Sequence, residues 1–548
     1  MITIKSVSLA LLLNALVSAQ SAPPTFDWNT ITPDKNLSWS DCYEQPVQCA
    51  RLEVPLNYSQ PDDGKTTAIA IIKYPAAANE STGGPIFFNP GGPGGSGVDL
   101  VLQGAPRLQQ IVGTQFDIVS FDPRGIGLST PNITIFNSPE EKAQFFSDEA
   151  SDMNSTATAL DEEWERFQTF GKLAVERDTD GFLSHVSTDN VARDLLHMAE
   201  AMGQEKVQFW GLSYGTVIGT IFATMFPDRV GRFVVDGCLD MDGYLGNDLK
   251  SQMVDADTAM QMFYDDCFAA GPESCPFHAG SSSSEIASRL QALYESLRAN
   301  PVEVQTELGN ATITYDVLRQ TVFTALSQPA LFQPLSLGLT ELEKGNGTIV
   351  AQILYVFADP ALLFSVGLTR QCSATSLESE NPEGFVGVEC SDAVPLDWDA
   401  TELRKYMAGI NSTFAGMVAV PVMARCAGWQ VHPESRFKGP VGANTDAPLL
   451  FIGNTADPLT PLSAAQKNQA AFPGSGLLTQ DSPGHTSLAA SSSCTVQAVA
   501  AYFANGTLPE EGTVCSLDKG LFAPASENST GAVNARRSVS ELVRRYAF

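Results

Sequence analysis

Histidine is scarce in this chain: five in 548 residues, at His185, His197, His278, His432 and His485. Cationic side chains are few as well, 32 Lys and Arg against 62 Asp and Glu, a formal net charge of −30. Neutralising phosphates requires a basic face, so nucleic acid is excluded as an expected partner. The excess of carboxylates promotes solubility and suits work in an acidic medium, where some of them are neutral. Neither a Cys-x-x-Cys pair nor a His-Glu-x-x-His helix occurs. No zinc or dithiol centre is therefore expected, and no metal or organic cofactor. Beyond the N-terminus no run approaches the roughly 20 apolar residues of a spanning helix, which excludes a membrane partner from the expectations. Internal repeats are absent too.

The length is far more than one minimal domain needs, so a large core with a sizeable insertion is expected. At the N-terminus one Lys precedes an apolar stretch from Val7 to Leu16, then the small residues Ser18 and Ala19. This is the pattern of a secretory leader over residues 1–19. Ten Asn-x-Ser/Thr sequons, at Asn36, Asn57, Asn79, Asn132, Asn154, Asn310, Asn346, Asn411, Asn505 and Asn528, agree with export and N-linked glycans. So do ten cysteines, an even number. Cys42/Cys49, Cys267/Cys275 and Cys494/Cys515 are close enough in sequence for local bridges. Cys238, Cys372, Cys390 and Cys426 leave their pairing open.

From about residue 65 to 135, "TTAIAIIKYP", "GPIFFNP" and "FDIVSFDPRG" read as strands ending in glycine- and proline-rich turns. "STDNVARDLLHMAEAMG" repeats Val191, Leu195, Met198 and Met202 at helical spacing, with Ser187 or Thr188 to cap it. "KVQFWGLS" is a strand, "YGTVIGTIFATMFPDRV" a helix and "GRFVVDG" a strand again. Strand and helix in alternation predict an α/β fold, a mostly parallel sheet covered on both faces. Residues 20–240 form its first part. Polar-faced helical segments then predict a large, mainly helical cap insertion over 241–440. The strand pattern resumes over 441–520, and 521–548 read as a polar tail.

Gly211-Leu212-Ser213-Tyr214-Gly215 fits Gly-x-Ser-x-Gly with a strand before it and a helix after it. In that setting the glycines allow a tight turn that exposes the Ser213 hydroxyl at the strand's end. The helix behind it brings a positive N-terminus to developing negative charge. A serine hydroxyl needs a base, and in this architecture the chain order is Ser, acid, His. Asp457 follows the buried-strand pattern "LLFIGNTA", and only His485 lies downstream of it. Asp446 and Asp481 compete as the acid, but neither directly follows a strand. "PGGPGGSG" at residues 90–97 ends an earlier strand, so its glycine amides can approach a reacting carbonyl closely. Gly92 and Tyr214 are the expected oxyanion donors, each typically worth roughly 10²–10³ in turnover. Asp122 and Arg124 in "FDPRG" read as a buried polar strut beneath that loop. His197 reads as a packing or surface residue of its helix, and His185, His278 and His432 carry no motif.

Taken together, "PGGPGGSG", "SFDPRGIGLST", "WGLSYGT", "VVDGCLD" and "GNTADPLTP … GHTS" resemble the secreted tripeptidyl and prolyl aminopeptidases. These are serine exopeptidases of the α/β-hydrolase fold with a TAP-like C-terminal part. The likeness spans about residues 50 to 515. It implies Ser213, Asp457 and His485 as a triad, with the 241–440 insertion closing over the substrate's N-terminus. Prolyl aminopeptidases carry a His-Gly-Gly-Pro-Gly loop. Here Pro90 stands in the His position, which brings the chain nearer the tripeptidyl branch.

An exopeptidase must recognise a free α-ammonium, for which a buried carboxylate is the natural partner. Asp236, Asp240 and Asp242 after a strand, and Asp265 and Asp266 in the cap, are the candidates, Asp236 and Asp240 foremost. The implied activity is release of short N-terminal fragments from peptide substrates through an acyl-enzyme, with kcat/KM falling on the acid side as the imidazole protonates. A secreted carboxylesterase or lipase would use the same triad. A non-catalytic binding protein on this fold is the remaining alternative, disfavoured by three occupied triad positions.

Overall fold

Ten strands share one sheet in the computed structural model of the protein, in the order β1-β2-β3-β5-β4-β6-β7-β10-β11-β12. Residues 26–43, 46–77, 82–146, 149–150, 152–306, 309–358 and 381–522 are described. The expected leader, nearly all of the tail, Cys372, Asn79 and Asn528 lie outside them. The strands are β1 (Ser40–Cys42), β2 (Val47–Pro55), β3 (Thr66–Tyr74), β4 (Gly84–Asn89), β5 (Phe116–Phe121), β6 (Val207–Leu212) and β7 (Val230–Asp236). After the hairpin β8 (Val302–Thr306) and β9 (Gly309–Ile313) come β10 (Leu450–Ala456), β11 (Gly476–Pro483) and β12 (Val514–Ser516).

The pairs β1–β2, β2–β3 and β3–β5 are antiparallel, and every pair from β5 through β4 to β12 is parallel. The sequence dictates this division. Ile86, Phe87 and Phe88 of β4, Phe209 and Trp210 of β6, Val234 and Val235 of β7, and Phe451 and Ile452 of β10 are all buried. Unbroken apolar runs of that kind are stable only where helices cover both faces of the sheet. The helix Gly215–Met225 behind β6 is buried along its first nine residues, which is why it lacks a polar face.

From β4 the chain moves to β5 on one side and then to β6 on the other, so the winding reverses at β4. Such a reversal opens a crevice beyond the strands' C-terminal ends, where ligands of α/β sheets bind. Pro90–Gly95 leave β4 at that point.

Between β7 and β10 runs the insertion, whose described residues form helices and the hairpin of β8 and β9, which pair antiparallel with each other alone. The hairpin went unread because five alternating residues in "VEVQT" are too few to outweigh the helical segments around them. Four disulfides are formed among the described residues: Cys42–Cys49, Cys267–Cys275, Cys494–Cys515 and Cys390–Cys426. The last joins two helices of the insertion, Pro382–Asp392 and Ala419–Gly428. Cys238 is a buried free thiol.

Candidate active site

Ser213 turns sharply out of β6 with φ +56°, a left-handed conformation that residues bearing a Cβ rarely adopt. Its two flanking glycines are required by close approach. A Cβ on Gly211 would meet the Gly215 carbonyl oxygen at 2.2 Å, and one on Gly215 the Asn89 carbonyl oxygen at 2.8 Å. Behind the turn, the Thr216 N–H and hydroxyl donate to the Ser213 carbonyl at 2.8 and 2.6 Å, starting the helix.

The glycine loop lies directly on this turn. A Cβ on Gly91 would fall 2.6 Å from the Leu212 carbonyl oxygen, 2.8 Å from the Ser213 Cβ and 3.1 Å from the Tyr214 nitrogen. Gly91, at φ +100°, is thus seated against the elbow, and Gly92 follows it at φ +113°. Asn89 holds the loop's start by accepting the Gly91 N–H at 3.0 Å.

At the far side of the sheet's C-terminal edge, His485 Nδ1 stands 3.0 Å from each carboxylate oxygen of Asp457. Both residues are wholly buried. The Asp457 carboxylate also accepts the N–H groups of Leu459 and Thr460 at 2.9 Å, the Thr460 hydroxyl at 2.7 Å and the Thr486 N–H at 2.9 Å. Burial pushes its pKa up, yet the adjacent imidazole and these donors outweigh it and hold the carboxyl below its ordinary range. His485 Nε2 is buried and has no hydrogen-bond partner among the described residues. A buried nitrogen left unpaired requires a reason, and availability for proton transfer is one. The competing acids are engaged elsewhere: Asp446 with Lys206, and Asp481 with the Thr455 hydroxyl.

Residues 84–276 match the family model "alpha/beta hydrolase fold", and residues 412–515 match "TAP-like protein". The chain is a serine hydrolase of the α/β-hydrolase fold with a TAP-like C-terminal part. It is 28% identical over 507 residues to the serine protease Hip1 of Mycobacterium tuberculosis, covering 87% of this chain and 91% of that one. It is 29% identical over 495 residues to carboxylesterase B of the same organism, covering 87% and 90%. To the tripeptidyl aminopeptidase of Streptomyces lividans it is 26% identical over 518 residues, covering 92% and 88%.

In this hydrolase Asp236 is not placed to meet a substrate ammonium. It is wholly buried, and its carboxylate accepts the Ser487 N–H at 2.8 Å, the Ser487 hydroxyl at 2.6 Å and the Trp210 indole at 3.4 Å. Its backbone carbonyl accepts the Ser213 N–H at 3.0 Å. One residue therefore ties the serine turn to the loop that follows His485. Asp240 is likewise engaged, capping the helix Met241–Gly246 and accepting from Ser251 at 2.8 Å and Lys467 at 2.6 Å. Asp242 pairs with the same lysine, and Asp265 accepts from Gln261 on the surface.

Asp122 and Arg124 are both buried but brace different parts. Asp122 accepts from Ser96, Val98 and Leu128 and so fixes the helix after the glycine loop. Arg124 grips Asp194 with two nitrogens, at 2.7 and 2.6 Å. The other histidines stand apart: His197 lies against Tyr58, His278 stacks on Phe268, His432 bonds the Trp429 carbonyl, and the His185 carbonyl accepts from Arg124.

A second group of acids was not singled out in the sequence. Asp392, on the helix Pro382–Asp392, accepts the Thr188 N–H at 2.7 Å, the Thr188 hydroxyl at 2.5 Å and the Tyr244 hydroxyl at 2.8 Å. The Thr188 hydroxyl also lies 2.5 Å from that of Tyr214. Burial pushes Asp122 and Asp236 up to about 6 and Asp392 to about 7. Burial and the neighbouring Asp392 push Glu389 up to about 8.

These shifts set a pH dependence of stability. Above about pH 4 an unfolded chain releases carboxyl protons that these folded groups retain. The folded state then binds more protons, so the stability they contribute is lost as pH rises from about 4 to about 8. Asp457 acts oppositely, losing its contribution as pH falls below the usual carboxylate range. Differential scanning calorimetry should find the highest Tm near about pH 5 and a Tm several degrees lower at about pH 8. A Tm rising steadily across that interval would show that these acids ionise freely in the fold.

Proposed function

We propose that the protein is a secreted serine aminopeptidase that releases short N-terminal fragments from peptides. Ser213 attacks the scissile carbonyl while His485 Nε2 takes its proton, and Asp457 orients the imidazole and stabilises its cation. The amides of Gly92 and Tyr214 receive the oxyanion, the Gly91 N–H being held by Asn89. The leaving peptide departs with the proton held by His485, and water then frees the acylated fragment. The observation that carries the reading is the buried, unpaired His485 Nε2, with Nδ1 clamped by Asp457 and a glycine loop seated on a strained serine turn.

The choice of peptides over esters is supported by the names of the relatives, among them a serine protease and tripeptidyl aminopeptidases. The insertion also reaches the base, since the Ser327 carbonyl accepts the His485 N–H at 2.9 Å. Such a cover suits recognition of a substrate's end. Export is supported by four disulfides and the leader pattern, and no described helix is long and apolar enough to cross a membrane. The carboxylesterase reading is favoured by one relative's name.

Tripeptidyl arylamides with a free and with an acetylated amine separate the two. An aminopeptidase should prefer the free amine by about 10²-fold or more in kcat/KM, the worth of a buried charge pair. Equal turnover of both, with faster cleavage of a simple aryl ester, would make the protein an esterase.

A further inference from the structure

The helix Pro382–Asp392 carries Phe385, Glu389 and Asp392 at spacings of four and three, so they share one face. The Phe385 end lies on the glycine loop: a Cβ on Gly94 would stand 3.4 Å from the Phe385 nitrogen. The Asp392 end is anchored to Thr188 and Tyr244, and through Thr188 to Tyr214, the residue after the nucleophile. Glu389 stands between these two anchors, one helical turn from Phe385. Its charge acts on the hydroxyls of both Tyr214 and Tyr244. The helix itself is fixed by Cys390–Cys426 and by Glu383, which accepts the N–H groups of Ile135 and Phe136.

Glu389 is only 8% exposed, yet its carboxyl makes no hydrogen bond or ion pair with any described residue. Asp392 is equally without a cation there, its partners being hydroxyls and one N–H. Buried carboxylates are normally paired, because an isolated charge in a dry site is strongly unfavourable. Two carboxyls on one face, with no cation paired to either among the described residues, have the chemistry of a site completed by a cationic ligand.

We propose that Glu389 accepts the substrate's α-ammonium, with Asp392 as the fixed second carboxyl behind it. The inference rests on the aminopeptidase reading and names its specificity residue. It replaces Asp236 and Asp240, both of which are engaged within the fold. The pKa of Glu389, raised by burial and by Asp392, agrees with a carboxyl awaiting a positive partner. When the ammonium binds, the Glu389 carboxyl ionises and its proton passes to solvent. An N-acetyl group brings no positive charge to pair with the ionised carboxyl.

The test is the ratio of kcat/KM for a free-amine tripeptidyl arylamide to that for its N-acetyl form. Measured in wild type and in Glu389→Gln, it should fall about 10²-fold in the variant, mainly through KM of the free amine. Circular dichroism establishes that the variant is folded. If it is not, Glu389→Asp, which keeps the charge but withdraws it by one methylene, takes its place and should lower the ratio about tenfold. A wild-type preference for the free amine that survives substitution overturns the assignment of Glu389 and leaves the aminopeptidase reading standing. A wild type without that preference overturns both.

Discussion

Ser213→Ala is expected to lower kcat on arylamide substrates by about 10⁶, the loss met when the nucleophile of a working triad is removed. The residual rate would come from binding and oxyanion stabilisation alone. Stability should scarcely change, because alanine keeps the Cβ and so meets the same strain at φ +56°. Labelling by a fluorophosphonate, stoichiometric in the wild type, should disappear in the variant while the melting curve stays in place. A variant that retains activity within tenfold of wild type would mean that the nucleophile lies elsewhere.

Asp457→Asn should lower kcat by about 10⁴ with KM changed by only a few-fold, the scale seen when a triad acid becomes an amide. At present both carboxylate oxygens face His485 Nδ1, so the ring proton sits on Nδ1 and leaves Nε2 as a lone pair. An asparagine amide presents an N–H₂ group to the same nitrogen, which favours the other tautomer and blocks the base. The donors around Asp457 are divided between its oxygens. The Leu459 and Thr460 amides reach one and the Thr460 hydroxyl and Thr486 amide the other, so an NH₂ group at either position leaves two donors unsatisfied and lowers stability as well. Steady-state kinetics beside a native circular dichroism spectrum reads the effect. A loss below tenfold would remove Asp457 from the mechanism.

The parts of the site legible in the sequence are those whose signal is local. Ser213 is flanked at two residues' distance by glycines that backbone contact requires, Asp457 follows the apolar run of a buried strand, and His485 is the one histidine downstream of it. The loop after β4 was legible as well, and Gly91 brings it against the serine turn. Thr460 was passed over because a threonine in "DPLTP" resembles any turn residue. Its hydroxyl finds Asp457 only once the chain has turned.

Asp236 shows why the remaining acids were misread. A carboxylate just beyond a strand looks free, and its partner Ser487 lies 251 residues away. Glu389 is the converse. Its helix has no polar-apolar division to mark a buried acid, because all eleven of its residues are buried.

The order of apolar runs and glycines along the chain was enough to determine the parallel sheet, the serine turn and the chain order of acid and base. Each of these is governed by backbone sterics and burial within a few residues. Which carboxylates are spent inside the fold, which one stays unpaired beside the serine turn, and that Cys390 joins Cys426 were decided by tertiary structure alone. A charge is defined by its surroundings, and those surroundings come from segments distant in the sequence.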